Sequence, residues 1–257
     1  MDGPTLDWSL VWDSRQLLLD GLVVAVQVSA TALALSVALG LVLALLRTSS
    51  TPLSWIAAGY INIFRGVPAL VSVIWVYFGV SLAFGLTFTV FQAGVIALTL
   101  LYSAFLAEIF RSALSAVPPG LKEAGQALGL HPSRVFFSVT LPQAGKIALP
   151  NIGSMFIGMV KDTSTFTVIG LLEVVRVTQN LVSTTFQPFV LYTAAAAIYV
   201  LAAFVIDFGF RLVENLMTSP PQGRLARALR ARKRARVERL IAAHSREPDE
   251  PLTPAAV

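Results

Sequence analysis

The sequence predicts an all-α membrane protein with about five transmembrane helices. The chain is 56% hydrophobic, only 13% of its residues are charged, and its mean hydropathy is +0.74. Soluble globular proteins carry about 25% charged residues, so this composition indicates burial in lipid. It excludes an ordinary soluble enzyme and a disordered protein, and it argues against nucleic-acid binding although the pI is about 9.9. The chain has no cysteine and two histidines, which excludes thiol chemistry, disulfides and a Cys- or His-rich metal site.

Long uncharged runs place the first three helices. Residues 21–46 are 26 uncharged residues, enough for one tilted span because a bilayer core needs about 20 helical residues. Residues 66–107 are a further 42, about twice the length of one span. We therefore predict two helices, at about 55–81 and 91–114. The turn between them is predicted at 85–89, where a glycine and several β-formers weaken a helix.

Two further spans complete the predicted set. The fourth covers about residues 147–172 and is interrupted by the charged residues Lys161 and Asp162. The fifth contains 18 uncharged residues at 189–206 and is expected to end near residue 211.

The basic residues predict which side of the membrane each loop faces. With the N-terminus outside and the C-terminus in the cytoplasm, 14 Lys and Arg residues lie on the inner side and two on the outer side. This matches the usual excess of positive charge in cytoplasmic loops. We predict an external segment at 1–16, a transmembrane domain at 17–217 with a cytoplasmic loop at 115–146, and a basic cytoplasmic tail at 218–257.

The cytoplasmic loop is predicted to contain two short amphipathic helices. Residues 121–128 favour the first, and Gly129 is suited to end it because glycine is common just after a helix. Pro132 is suited to open the second helix. Leu141 and Pro142 are expected to break the chain before the fourth span.

This loop carries a distinctive spacing. It reads Glu123-Ala124-Gly125, then Gly129, then Val139-Thr140-Leu141-Pro142. The pattern resembles the EAA loop of permease subunits of ABC importers, which has Glu-Ala-Ala, a glycine, and then Ile-x-Leu-Pro. Gly125 and Val139 depart from that pattern but keep small or apolar side chains.

Three other stretches resemble the polar amino-acid branch of the same family. They are Phe64–Leu70 (FRGVPAL), Ala107–Arg111 (AEIFR) and Lys161–Ser164 (KDTS). The resemblance implies a type I ABC importer-like permease fold and a place in the bacterial plasma membrane. It implies import of amino acids, polar or charged ones, by alternating access. The implied partners are a second permease subunit, identical or paralogous, two ATP-binding subunits and an extracytoplasmic substrate-binding protein.

The chain itself has no Gly-x-x-x-x-Gly-Lys-Ser/Thr loop, so we expect no cofactor in it and ATP bound by partner subunits. The resemblance places ATPase coupling at Glu123, Ala124, Gly125, Leu128, Gly129, Leu141 and Pro142. Small residues at 124 and 125 would let the ATPase approach closely. The alternative is a plain amphipathic connector on the membrane surface.

A charged side chain within a membrane span is expected to have a structural or functional role, because each one costs about 2.5–3.5 kcal/mol at a helix centre on insertion scales. Lys161 and Asp162 are expected to point about 100° apart, and Thr163 and Ser164 add hydroxyls. These charged and hydroxyl side chains suit the ammonium and carboxylate groups of an amino acid. We therefore predict that the four residues line the substrate path or its gate. The alternatives are a structural ion pair or a helix break.

Arg65 and Glu108 are the remaining candidates for the path. Glu108 and Arg111 are three residues apart and can pair, either beside the path or at the interface. Arg65 either lines a cytoplasmic vestibule or extends to the membrane surface. Asp207 and Arg211 are expected to pair at the inner end of the fifth span.

The tail carries eight basic residues at 222–243. It is predicted either to lie on anionic membrane lipid, at about 1 kcal/mol for each basic residue, or to be a solvated tail that reinforces the orientation. No nucleic-acid partner is expected, because no folded soluble domain accompanies it.

Two other classes of function stay open from the sequence. A stand-alone channel or secondary carrier would work without an ATPase, but it leaves the spacing of the cytoplasmic loop unexplained. An intramembrane enzyme needs a base or metal ligand near the reaction, and both histidines, His131 and His244, fall on the predicted cytoplasmic side.

Overall fold

The computed structural model describes residues 6–218, and this part of the chain is built from helices and short connections. One compact unit extends to Glu214. Of a second unit, which begins at Asn215, only the end of the last helix is described. The predicted tail beyond residue 218 lies outside the described residues.

The helices follow one another with few long connections. The α-helices are α1 (Ser9–Asp13), α2 (Arg15–Thr48), α3 (Leu53–Gly66), α4 (Ala69–Ile74), α5 (Ser81–Phe84), α6 (Val90–Ser115), α7 (Pro119–Ala127), α8 (Pro132–Val135), α9 (Leu141–Asp162), α10 (Val174–Thr185) and α11 (Pro188–Thr218). Two π-helical stretches, Trp75–Val80 and Phe136–Thr140, and one 3₁₀ stretch, Thr163–Ile169, continue the helices that precede them.

Five membrane spans can be made from these elements, as the sequence predicts. Helices α2, α6 and α11 are each long and apolar enough to cross a membrane. Two bent pairs of helices raise the count to as many as five. The first pair is α3 with α4–α5, and the second is the helix from Pro132 to Ile169 with α10.

The second predicted span is sharply bent, so the prediction of one helix at 55–81 is wrong. The axes on either side of the break differ by 108°. The break lies at Val67, which is extended (φ −89°, ψ 128°), and at Pro68. Proline has no N–H to donate and disfavours helical backbone in the residue before it, which accounts for the bend.

The predicted turn after this span is confirmed. Gly85 adopts a left-handed conformation (φ +64°), which glycine tolerates without a steric penalty. Helix α6 then begins with a capping box, in which Thr89 and Gln92 each accept a hydrogen bond from the other's backbone N–H.

The fourth region differs from the prediction in two ways. Leu141 and Pro142 do not break the chain, because a continuous helix runs from Pro132 to Asp162. Pro142 lies in the first turn of α9, directly after the wider π-helical stretch, so its ring is accommodated there. The charged pair ends the α-helix, which tightens into the 3₁₀ stretch, and the amphipathic helix α10 that follows was not predicted.

The centre of the fold is the contact between α2 and α6. Gly40 of α2 lies so close to α6 that a Cβ added there would be 2.9 Å from the Cβ of Leu106 and 3.0 Å from the carbonyl oxygen of Ser103. Small residues permit this approach of two backbones, which is how membrane helices gain packing contacts.

Replacing Gly40 by alanine is therefore expected to destabilise the protein by about 1–3 kcal/mol, the usual cost of overpacking. The melting temperature of the detergent-purified chain should fall by a few degrees. Gly59→Ala is the matched control, because a Cβ at Gly59 meets nothing within 4 Å. Equal melting temperatures for the two variants would contradict the close packing of α2 on α6.

Candidate functional site

The loop between α6 and α9 presents one helix to the surroundings. Helix α7 ends at Ala127, and Gly129 just beyond it has a left-handed conformation (φ +73°), which confirms the predicted stop. The N–H of Leu130 closes the turn by donating to the carbonyl of Gly125 over 3.2 Å. Glu123 and Ala124 are exposed on α7, and Leu128 just after it is 80% exposed.

Gly125 packs inside the loop, whereas the sequence predicts a small residue here that lets the ATPase approach closely. It is buried, and a Cβ built on it would be 3.0 Å from a methyl group of Val135 in α8. The small residue therefore lets α7 pack on α8 within the loop, which leaves Ala124 as the small residue on the exposed side. Leu141 is half-buried and Pro142 is exposed at the start of α9.

A cavity of about 360 Å³ separates this loop from the ends of α2 and α6. Lys122 and Gln126 of α7 line the cavity together with Thr48 of α2 and Ser115 of α6. Lys122 thus faces the transmembrane helices, whereas its neighbour Glu123 makes no contact of charge or hydrogen bonding with residues 6–218.

Arg65 and Glu108 are brought together at a second cavity of about 570 Å³. Asn151 and Met155 of α9 lie on its opposite wall. Glu108 forms the predicted ion pair with Arg111, at 2.8 Å. Arg65 lines the cavity, as one of its two predicted placements requires, and its guanidinium lies 5.8 Å from the centre of the Phe105 ring.

Lys161 and Asp162 point in different directions, as predicted from their spacing. Asp162 accepts a hydrogen bond of 2.9 Å from the Tyr102 hydroxyl of α6. Lys161 instead lines a groove against α11, in two adjoining cavities of about 550 and 300 Å³. Neither residue forms an ion pair within the described range, which a structural ion pair between these residues and their neighbours there would require.

The two hydroxyl residues that follow are bonded to their own helix. Thr163 is fully buried and donates to the carbonyl of Val160, and Ser164 donates to the carbonyl of Lys161. Ser164 lines the smaller cavity beside Lys161, and Thr163 lines none of these cavities. The candidate path residues therefore fall into two groups, Arg65 with Glu108 and Lys161 with Ser164.

Sequence reasoning missed one buried acid. Glu173 is fully buried and caps α10, accepting from the N–H groups of Val175 and Arg176 at 2.8 Å each. It also accepts a hydrogen bond of 2.6 Å from the Tyr199 hydroxyl of α11. The available signal was an acidic residue directly after the apolar run that ends at Leu172.

Comparison with known proteins shows the family to which this chain belongs. Residues 36–219 match the family described as the binding-protein-dependent transport system inner membrane component. The chain is 34% identical over 216 residues to the glutamine transport system permease protein GlnP of Escherichia coli (strain K12), covering 82% of this chain and 97% of that protein. It is 33% identical over 208 residues to the probable glutamine ABC transporter permease protein GlnM of Bacillus subtilis (strain 168), covering 80% and 96%.

Solved structures show the same fold. The crystal structure of an amino acid ABC transporter with histidines has a TM-score of 0.76 at 34% identity, covering 82% of this chain and 99% of that one. An inward-facing structure of the MetNI methionine ABC transporter has a TM-score of 0.69 at 20% identity, covering 80% and 98%, which supports the fold alone. With a family match over most of the helical region and relatives aligned over nearly their full length, this chain belongs to the inner-membrane components of binding-protein-dependent transport systems.

Proposed function

We propose that this chain is the transmembrane subunit of an ATP-driven importer that moves amino acids, polar or charged ones, into the cell. Relatives of this chain are named glutamine and arginine permeases, which supports this class of substrate. The chain contains no phosphate-binding loop, so ATP hydrolysis is assigned to partner subunits.

The observation that carries the proposal is the continuous helix from Pro132 to Asp162. At 1.5 Å per residue, the helix spans about 45 Å. One end holds α7 through the contact of Gly125 with Val135, and the other end carries Lys161 and Asp162. A displacement of the exposed α7 would therefore be transmitted along this helix to Lys161 and Asp162.

In this proposal α7 is the docking site of an ATPase subunit. Glu123, Ala124 and Leu128 are exposed and supply the contact, while Gly125 and Gly129 set the shape of the loop. Leu141 and Pro142 join the loop to α9. Closure of the ATPase subunits would then move α9 as a rigid body and alternate access between the two sides.

The substrate path is assigned to the two groups of polar residues. Arg65 and Glu108 line one cavity, and Lys161 with Ser164 lines the groove at α11. An acid and a base in the same cavity suit the two charged groups of an amino acid. Asp162 and Thr163 lie beside the groove and hold the helix in which Lys161 is placed.

The assembly and orientation complete the proposal. A second permease subunit, identical or paralogous, would enclose the path with this one, and an external binding protein would deliver substrate. The orientation has residues 1–16 outside, a transmembrane domain at 17–217, the loop at 115–146 in the cytoplasm, and the basic tail at 218–257 also in the cytoplasm. The excess of basic residues on that side supports this orientation.

Purification of the tagged chain from its native membrane in mild detergent tests the proposal. An ATP-binding subunit should co-purify in about equal amount with the permease subunits. A preparation that keeps the permease subunits together but contains no ATPase would contradict the proposal and favour a channel or secondary carrier.

A further inference from the structure

The buried acid Glu173 is held by hydrogen bonds within the part of the chain that the structure describes. No lysine or arginine in residues 6–218 forms an ion pair with it. An ionised carboxylate is costly to bury unless donors surround it. Here both oxygens accept hydrogen bonds, two from the first turn of α10 and one from Tyr199. The positive end of the α10 dipole adds to this stabilisation.

Glu173 lies where three helices meet. A Cβ built on Gly21 of α2 would be 2.9 Å from the backbone nitrogen of Val174 and 3.0 Å from the carbonyl carbon of Glu173. Tyr199 approaches from α11, and Leu18 packs with Val174 in the same buried cluster. The side chain of Glu173 is thus fixed by backbone contacts on one side and by α11 on the other.

Glu173 and Asp162 form a matched arrangement around the 3₁₀ stretch. Asp162, just before the stretch, accepts from Tyr102 of α6. Glu173, shortly after it, accepts from Tyr199 of α11. The 3₁₀ stretch is therefore held at both ends by a carboxylate–tyrosine hydrogen bond, each to a different helix. The stretch ends α9 and, through the left-handed Gly170, connects it to α10.

Tyr199 links this arrangement to the groove that contains Lys161. Its ring lines both cavities in which Lys161 lies, and its hydroxyl holds Glu173. The hydrogen bond therefore joins α11 to the start of α10, and the same tyrosine lines the groove that contains Lys161.

We infer that Glu173 and Tyr199 are positioning residues for transport. Their hydrogen bond holds Lys161 and the 3₁₀ stretch in register with α11. The inference rests on the proposed function and extends it to a pair of residues outside the predicted site. A hydrophobic pair could fill the same space, whereas a directional hydrogen bond also favours one register of the two helices.

The test compares Tyr199→Phe with Tyr77→Phe in the complete importer, purified with its ATPase and binding protein and placed in proteoliposomes. Both changes remove one tyrosine hydroxyl, but Tyr77 lines neither of the two cavities in which Lys161 lies. The Tyr77 hydroxyl makes no hydrogen bond with residues 6–218, whereas the Tyr199 hydroxyl holds Glu173. The measurement is the number of substrate molecules imported per ATP hydrolysed, using the amino acid that the wild type takes up fastest.

Tyr199→Phe should lower this ratio at least threefold, and Glu173→Gln should do the same, while Tyr77→Phe matches the wild type. A role in stability alone would lower the yield or the melting temperature but leave the ratio of the surviving complexes unchanged. An unchanged ratio for Tyr199→Phe overturns the inference, as does its failure to assemble. Absence of ATP-driven uptake by the wild type would instead contradict the proposed function itself.

Discussion

Glu123→Lys is expected to reduce the ATPase subunit retained on the purified permease at least tenfold. Glu123 is exposed on α7 and makes no hydrogen bond or ion pair within residues 6–218, so the change should leave the loop folded. Reversing a charge at a docking surface places like charges together, which costs several kcal/mol, and 1.4 kcal/mol already gives a factor of ten. The measurement is the ratio of the two subunits after affinity purification.

Lys122→Gln is the control for this experiment. Lys122 is next to Glu123, but it lines the cavity between the loop and the transmembrane helices. Its replacement should leave the retained ATPase within twofold of the wild type. Full retention by Glu123→Lys would show that α7 is a surface connector and not the docking site.

Lys161→Met is expected to abolish uptake, to below about a tenth of the wild-type rate, and to leave the protein at least as stable. The substitution keeps an unbranched side chain of similar length and removes a charge that costs about 2.5–3.5 kcal/mol within a membrane. Lys161 forms no ion pair in the described range, so its replacement leaves no acidic side chain there without a counter-ion. Loss of function with an equal or higher melting temperature separates a transport role from a structural one.

Lys146→Met is the matched control, because Lys146 belongs to the same helix and lines neither polar cavity. It should keep at least half of the uptake rate. Normal uptake by Lys161→Met would show that the groove at α11 is not part of the substrate path. The cavity lined by Arg65 and Glu108 would then be the remaining candidate.

The sequence predicts a helix well where a long uncharged run requires a membrane span. The uncharged runs predict α2, α6 and α11 well, since a span in lipid must be long, apolar and helical to satisfy its backbone. The two prolines show where local rules fail. Pro68 bends the chain by 108°, whereas Pro142 is absorbed in the first turn of a continuing helix. Which outcome occurs depends on neighbouring turns and packing, and the dipeptides themselves do not reveal it.

Candidate residues of the site could be chosen from the sequence, but their contacts could not. The spacing of the loop makes Glu123 and Gly129 candidates, whereas the burial of Gly125 against Val135 is seen only in the fold. The hydrogen bonds of Asp162 and Glu173 join residues 60 and 26 positions apart. No periodicity in the sequence reports such pairs, so the two tyrosines looked like ordinary apolar residues of a span.

ATP-driven uptake in proteoliposomes tests the central claim most directly. The complex of permease, ATPase and binding protein would be reconstituted, and accumulation of a panel of labelled amino acids followed with and without ATP. The account predicts accumulation of one or a few polar or charged amino acids that requires both ATP and the ATPase subunit. Uptake of the same size by the permease alone, without ATP, would contradict it.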